Sequence, residues 1–462
     1  MFKYMRQGRD FYKNLFKLAL PITLQNLIMT SLALIDTIMV GFLGEAPLAG
    51  VMVANTPMFV LQLLIFGLQS GSAVLISQFW GKRDEDSINK VIGIGLYLAG
   101  TLGALFSLVT ILFPRELMSL FSNNEELIDI AASYIRIVGT SHLFHGMAGI
   151  FAGAYRSMAN PKPGLYIFGF AMCLSTFLNW VLIFGNLGAP ALGVEGAAIG
   201  TLIARVVEFI IMVIYVKVNR RFVMKLKLVL RPGKEMIGKF IKYAVPVVMN
   251  ETLWGMGMAI YPTIMGHMEN SREIMAALTI TLSLDRLITV AIWSIGVSAG
   301  VIVGKEIGEG RAHKVYDKSA ALSTVAVGLG ILIGGGMLVA MYVWIAPYIF
   351  PLFGLSALAV SIGLMMQTIN CIIKPARALN TVLIVGVLRA GGDSRVAAFI
   401  DLIPLWLLSL PLALIFGLVL KLDIFWVYLA MSIDSLVKGA ASLWRFYSRR
   451  WINDITAPAA SG

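Results

Sequence analysis

The sequence predicts an all-α membrane protein with twelve transmembrane helices in two similar six-helix halves. Three observations predict this fold class. Of the 462 residues, 58% are hydrophobic and only 13% are charged, whereas an average soluble domain is about one quarter charged. Apolar segments long enough to cross a bilayer, which takes about 20 residues per helix, recur along the whole chain. The second half of the sequence also repeats features of the first.

Composition separates this chain from soluble and nucleic-acid-binding proteins. A single soluble core could not bury so many apolar side chains, because cores stop growing at a few hundred residues. The 45 glycines fit a membrane protein, since small residues let membrane helices approach closely. The protein has a net charge of +12 but is not expected to bind nucleic acid. Its basic residues fall in short loops on one side of the apolar segments, which indicates membrane orientation.

The apolar segments themselves give the predicted helix count. Each is bounded by a short polar or glycine-containing stretch, and each is long enough to span the bilayer. The predicted spans are 15–40, 48–79, 91–113, 127–154, 164–186, 192–216, 238–265, 274–303, 317–346, 356–388, 396–420 and 424–447.

Lysine and arginine residues predict the topology. They are concentrated in alternate loops, and the opposite loops contain only Arg115, Arg272 and Lys421. Positive residues mark the cytoplasmic side, so both termini are predicted to be cytoplasmic, which requires an even number of spans. The basic first residues lead into a long helix without a cleavage site and are interpreted as a retained start, not a signal peptide. The predicted location is the inner (plasma) membrane.

The internal repeat relates span 1 to span 7. Residues 17–21 match residues 242–246, and both stretches run from a lysine to a proline. A Gly-x-x-x-Gly pattern occurs at 67–71 and again at 296–300. With six spans per half, both halves begin on the same side, so the repeat predicts pseudo-two-fold symmetry about an axis along the membrane normal. Transporters use such duplications to bind substrate between the halves, so a transporter is favoured over a channel.

A polar segment divides the chain almost in half. The predicted organisation is an N-terminal lobe at 1–216, a linker at 217–236 and a C-terminal lobe at 237–462. The linker is rich in Lys and Arg. It is interpreted either as a simple connection or as an amphipathic helix on the inner leaflet, facing anionic lipid.

Several motifs distributed over both halves resemble the multidrug and toxic compound extrusion (MATE) family, in particular its NorM-like and DinF-like bacterial members. The resemblance covers the whole chain and depends on order and topology, because each motif alone is weak. The motifs are DTIMVGFLG at 36–44 after Pro21, QFWGK at 78–82, NWVLI at 179–183 followed by LGVEGAA at 192–198, and GVLRAGGD at 386–393.

The resemblance implies two six-helix lobes in a V shape around a central cleft. It implies export of amphipathic, often cationic drugs in exchange for sodium ions or protons. No cofactor is expected beyond the coupling ion, and the expected partners are a drug-like small molecule and membrane lipids, with the protein a monomer. No Walker motif is present, so direct drive by ATP is not expected.

The N-terminal lobe offers one candidate coupling residue. Asp36 lies within span 1, and an ionisable residue inside lipid is a functional candidate because burying it is unfavourable. The resemblance implies that Asp36 and Asn179 form a protonation or cation site. DinF-like members have a second aspartate where this chain has Ile183. The alternative is a purely structural, hydrogen-bonded carboxylate.

The C-terminal lobe offers a second candidate. Glu251 is the one acid in the apolar part of span 7, and NorM-like members use a glutamate of that helix about one turn further on. Asn380 stands where those members have an aspartate. A sodium ion needs several oxygen ligands to replace its hydration shell, whereas a proton needs one, so Asp36 favours a proton and Glu251 leaves both ions open. The larger number of acids favours the C-terminal lobe as the ion site.

Further charges lie in the predicted membrane region of the second half. Arg377 is expected to have a carboxylate partner, because an unpaired guanidinium in the membrane is unfavourable. The pair is interpreted as structural or, alternatively, as a relay in which a coupling ion competes with Arg377 for the acid. The candidate partners are Glu251, Asp285, Asp401 and Asp434.

Other polar and sulfur-containing residues are assigned more ordinary roles. Arg205 with Glu208 and Asp434 with Lys438 are predicted structural pairs at helical spacing. His142 and His145 lack further ligands nearby, so no metal site is expected. A cleft-facing aromatic ring would attract a cationic drug by roughly 0.5–2 kcal/mol. The predicted cleft residues are Gln25, Asn26, Trp254, Met256 and Met258.

Two other functions compete with drug export. A lipid-linked precursor or polysaccharide flippase of the same superfamily would need a strongly basic cleft, whereas the intramembrane charges here roughly balance. A membrane-embedded enzyme would need a catalytic constellation, and the sequence contains no HExxH motif and no cluster of acids with metal-ligand spacing. The chain is therefore predicted not to be an enzyme.

Overall fold

The computed structural model describes residues 7–219, 222–349 and 356–457, and every regular element in these ranges is helical. Residues 1–6 of the predicted cytoplasmic start and residues 220 and 221 of the predicted linker lie outside the described residues. Within the described ranges, long helices overlap all twelve predicted spans. The predicted all-α membrane fold is confirmed.

The long helices of the described ranges are α1 Arg9–Gly41, α2 Glu45–Lys82, α3 Glu85–Leu112, α4 Glu125–Ser157, α5 Lys162–Phe184, α6 Gly193–Val218, α7 Val245–Gly266, α8 Ser271–Gly308, α9 Ala312–Ala340, α10 Ala357–Asn380, α11 Ser394–Ile403 and α12 Ile424–Tyr447. Helix α9 continues as a π-helix over Met341–Ile349, α10 continues as one over Thr381–Leu388, and α11 runs on to Val419 with π-helical turns.

Ten of these described helices are long and apolar enough to cross a membrane by length and composition. The other two are α4 and α7. Both contain polar residues that lower their mean hydropathy, such as His142 and His145 in α4 and the adjacent Asn250 and Glu251 in α7. The helices that are least membrane-like by composition therefore include carriers of candidate functional residues.

Contacts divide the chain into two compact units. The N unit is Leu20–Val248, and the C unit is Met1–Ala19 together with Met249–Gly462. The start of α1 belongs to the C unit because Leu15 is buried in the same apolar cluster as Ile292 and Val382. The lobes and linker predicted from the sequence have different boundaries from these two units, and they stay a prediction.

The segment between α6 and α7 packs against α3 within the N unit. The Asn89 side chain donates to the Val223 carbonyl (3.1 Å) and accepts from the Lys225 backbone N–H (2.9 Å). Lys225 Nζ also lies 2.6 Å from Asp86, which raises the pKa of this exposed lysine. Two short helices follow, Leu226–Leu230 and Lys234–Tyr243. The described part of this segment is thus held to the N unit by specific polar contacts.

Helices α5 and α6 pack closely against each other in the N unit. Helix α5 ends at Gly185, whose φ of 73° is in the left-handed region that favours glycine. The Leu192 N–H then donates to the Leu182 carbonyl (2.8 Å), which fixes the entry into α6. A Cβ atom on Gly196 would lie 2.5 Å from the Leu182 oxygen. Only glycine lets α6 lie this close to α5.

Candidate functional site

In the N unit, Asp36 of α1 meets the polar face of α5. Its Oδ1 accepts hydrogen bonds from Asn179 Nδ2 (3.1 Å) and from Thr176 Oγ1 (3.2 Å). Thr176 and Asn179 are three residues apart, so they share one helix face. Asn179 is buried, whereas Asp36 is partly exposed. Among the described residues, no Lys, Arg or His lies within ion-pair distance of Asp36.

Gly200 of α6 fixes the other side of Asn179. A Cβ atom at position 200 would lie 2.4 Å from Asn179 Oδ1, a separation that real Cβ atoms do not adopt. That oxygen has no hydrogen-bond partner among the described residues. The amide is therefore held by packing on one side and by its bond to Asp36 on the other.

Arg205 interacts electrostatically with Asp36, yet it pairs with a different acid. Its Nη1 lies 2.6 Å from Glu208 Oε2 in α6. His145 of α4 completes the cluster, because its Nδ1 lies 2.8 Å from Glu208 Oε1. The Glu208 side chain is fully buried. The predicted contact between Arg205 and Glu208 is present, and His145 adds a partner from a second helix.

In the C unit, Glu251 of α7 is paired with an arginine. Arg389, which directly follows the π-helical continuation of α10, forms a buried ion pair with Glu251. The same guanidinium donates from Nη2 to Asn250 Oδ1 (2.6 Å), and Asn250 Nδ2 donates to Asp401 Oδ2 (3.0 Å). Both Arg389 and Glu251 are nearly inaccessible, at 2% and 6% exposure. Glu251 is therefore part of a hydrogen-bonded network that reaches α11.

Lys438 of α12 extends this network. Its Nζ lies 2.9 Å from Asp401 Oδ1 and 2.9 Å from Asp434 Oδ2. Ser435 Oγ donates to the other Asp434 oxygen, Oδ1 (3.1 Å). The predicted contact between Asp434 and Lys438 is present, but the lysine bridges two acids and not one.

A separate charge pair joins α8 to α10, and it corrects one prediction. Asp285 pairs with Lys374, which is 1% exposed. Arg377 has no carboxylate within ion-pair distance among the described residues; it donates from Nη1 to Asn370 Oδ1 (3.0 Å). The prediction that Arg377 pairs with a carboxylate was therefore wrong. Lys374, one turn earlier, takes Asp285, and Arg377 is only partly buried, which lowers the need for a counter-charge.

The remaining predicted residues are spread over both units. Asn380 donates from Nδ2 to the Ser435 carbonyl (2.7 Å) and has no bond to Glu251 among the described contacts. Gln25 is buried and Asn26 partly exposed. Trp254, Met256 and Met258 are 38%, 48% and 37% exposed on α7. Their roles as coupling or cleft residues stay predictions.

The sequence identified the acids of the site more readily than the residues that bond to them. Thr176 was detectable, because it lies three residues before Asn179. Arg389 was counted with the basic residues that mark the cytoplasmic side, so its bond to Glu251 was not anticipated. A cavity of about 340 Å³ near Met268, Ile362 and Asp423 contains none of the predicted site residues.

Comparison with known proteins gives a consistent result. The family model described as MatE matches residues 21–181 and 246–415. The chain is 24% identical over 451 residues to an uncharacterized transporter, YisQ, of Bacillus subtilis, covering 97% of each protein. It is 22% identical to a probable multidrug resistance protein, NorM, of Thermotoga maritima, covering 96% of this chain and 93% of that protein. A solved structure described as the outward-facing conformation of a multidrug resistance MATE family transporter of the MOP superfamily aligns with a TM-score of 0.84 at 18% identity. That alignment covers 97% of this chain and 98% of the other.

Proposed function

The chain belongs to the MATE family, and on that basis we propose that it is a secondary transporter that exports organic cations in exchange for protons, with Asp36 as the proton-binding residue. Members of this family are transporters and not enzymes, and this chain is a multi-pass membrane protein. Its relatives include proteins named as probable multidrug resistance proteins, which supports a drug-like substrate.

The observation that carries the proposal is the setting of Asp36. Its carboxylate is held by neutral donors from Asn179 and Thr176, and no cation of the described residues pairs with it. A carboxylate without a built-in counter-charge can bind a proton in one step and release it in another. A cationic substrate is attracted to the same unit only while the carboxylate is ionised, so proton uptake and cation release are linked electrostatically.

The ligands around Asp36 favour a proton over a sodium ion. Sodium needs several oxygen atoms that point their lone pairs at it, as hard cations do. Here Asn179 and Thr176 both direct N–H or O–H groups at Asp36 and act as donors. A proton needs only one carboxylate oxygen.

The acids of the C unit support the same choice by contrast. Of the four predicted intramembrane acids, Glu251 is paired with Arg389 and Asp285 with Lys374. The other two, Asp401 and Asp434, share Lys438. From the sequence, the larger number of acids favours this half as the ion site. Their partners make it the less suitable half, because a coupling ion would have to displace a lysine or arginine.

The substrate class is supported by exposed side chains of α7. Trp254, Met256 and Met258 expose more than a third of their surface. An aromatic face attracts a cation, and methionine adapts to varied apolar shapes. An amphipathic cation such as ethidium is therefore a suitable probe.

The test is ethidium transport by the purified protein in vesicles, with a pH gradient and a sodium gradient imposed separately. We expect the pH gradient alone to drive transport in the wild type and Asp36→Asn to abolish it. The matched control is Asp129→Asn, an exposed acid of the same unit that pairs with Arg115, which should transport like the wild type. Wild-type rates in Asp36→Asn, or transport driven by sodium alone, would overturn the proposal.

A further inference from the structure

The Lys438 ammonium occupies a position between two carboxylates that come from different helices. Its Nζ is equidistant, at 2.9 Å, from Asp401 Oδ1 of α11 and Asp434 Oδ2 of α12. Lys438 and Asp434 are 5% and 9% exposed. The contact with Asp434 is a simple i,i+4 pair, but the contact with Asp401 joins α12 to α11.

The described ion-pair partners of this ammonium group are two carboxylate oxygens. The second Asp401 oxygen accepts from Asn250 (3.0 Å), and the second Asp434 oxygen accepts from Ser435 (3.1 Å). These bonds orient each carboxylate so that its other oxygen points at Lys438 Nζ. Two preoriented carboxylate oxygens form the kind of ligand set that hard cations prefer.

We propose that Lys438 is a tethered cation that occupies the position an alkali ion would otherwise take, and that it thereby makes the C unit independent of sodium. Lys438 is in this sense a residue that determines ion specificity. The inference deepens the proposed function, on which it rests for its meaning in transport, but the site is defined by contacts that a binding measurement can test directly.

The charge balance gives the physical reason. With Lys438 in place, the two carboxylates share one ammonium, and Arg389 lies 4.0 Å from Asp401. Without Lys438, Asp434 has no cation within ion-pair distance among the described residues. Removing one partner of a buried ion pair is strongly destabilising because it leaves an uncompensated charge. A small cation from solution restores the balance, and binding to the folded state alone raises its stability.

Lys374 provides a matched control within the same unit. It is equally buried, but it pairs with a single carboxylate, Asp285, and its other polar neighbour is Thr289 Oγ1 at 3.4 Å. Loss of Lys374 therefore leaves one acid and one hydroxyl. That set has too few charged oxygens to replace the hydration shell of sodium.

The experiment is thermal unfolding of the full-length protein in detergent at pH 8, in sodium chloride or choline chloride at equal ionic strength. The wild type should unfold at the same temperature in both salts. Lys438→Ala should unfold at a lower temperature in choline, and sodium should raise its midpoint by about 2–4 °C. Adding Asp434→Asn to Lys438→Ala should remove the sodium effect. Lys374→Ala should be destabilised equally in both salts.

Three results would overturn the inference. They are a higher unfolding temperature of the wild type in sodium than in choline, no such increase for Lys438→Ala, or an increase for Lys374→Ala as large as that for Lys438→Ala. If Lys438→Ala does not fold, Lys438→Asn, which retains a polar side chain, takes its place. Sodium stabilisation of the wild type would by itself contradict the inference. The measurement needs no transport, so failure of the Asp36 proposal leaves its outcome unaffected. Failure of this inference likewise leaves proton exchange at Asp36 to its own test.

Discussion

Asp36 of the N unit and the predicted intramembrane acids of the C unit differ in what neutralises them. Asp36 accepts hydrogen bonds from neutral side chains, whereas Glu251 pairs with Arg389 and Asp285 with Lys374. Under the proposed function, the coupling site is therefore not the half of the chain with the larger number of acids. What matters is whether each acid has a permanent cation beside it.

The contrast has an energetic basis. A buried ion pair holds both groups ionised, and its parts cannot be separated without leaving a charge in a low-dielectric region. A carboxylate held by neutral donors can instead be neutralised by a proton without breaking an ion pair. Glu208 of the N unit follows the C-unit pattern, because Arg205 and His145 contact it. Asp36 is therefore the exception within its own unit as well.

The largest expected effect is on the ion pair of the C unit. Arg389→Ala should lower the free energy of unfolding by about 3–5 kcal/mol, because it leaves Glu251 buried without a counter-charge. Chemical unfolding in detergent measures this. Adding Glu251→Gln should recover much of the loss, and Arg115→Ala at an exposed pair should change little. Full stability of Arg389→Ala would remove the basis for treating the C-unit acids as fixed.

A smaller effect is expected where packing supports the N-unit site. Gly200→Ala places a methyl group against Asn179 Oδ1, and overpacking typically costs about 1–3 kcal/mol. Because Asn179 bonds Asp36, ethidium transport should fall along with stability. Gly169→Ala is the control, since a Cβ there meets nothing within 4 Å. Normal transport by Gly200→Ala would show that the position of Asn179 is not critical.

Arg377 sharpens the comparison from the opposite direction. Its only hydrogen bond described to another side chain is to the neutral Asn370, so Arg377→Ala should cost only about 1 kcal/mol. Lys374→Ala, which strands Asp285, should cost clearly more. The two variants can be compared in one unfolding series. A larger loss for Arg377→Ala than for Lys374→Ala would mean that Arg377 has the more important counter-charge.

The smallest change in stability is expected at Asp36. Asp36→Asn keeps an oxygen that accepts from Asn179 and Thr176, so the free energy of unfolding should change by less than about 1 kcal/mol. Proton-driven transport should nevertheless be lost. If the variant is strongly destabilised, Asp36 is a structural residue like the acids of the C unit, and the contrast between the units fails.

Some of the site was predictable because its signals are local. Asp36 and Asn179 were expected together from motifs at 36–44 and 179–183, and the two side chains do touch. The pairs Arg205–Glu208 and Asp434–Lys438 followed from helical spacing. The partner of Glu251 was not predictable in this way. Arg389 is 138 positions away in sequence and looked like a loop residue.

The sequence by itself determined the fold class, the number of long helices and the family, because hydropathy, helical periodicity and motif order are properties of short stretches of chain. Only the tertiary structure decided which charges neutralise each other. Lys374 and not Arg377 takes Asp285, and Lys438 reaches Asp401 as well as Asp434. Ion pairing depends on distances of a few ångströms between helices far apart in sequence, and the one-turn difference between Lys374 and Arg377 is set by helix packing and not by composition.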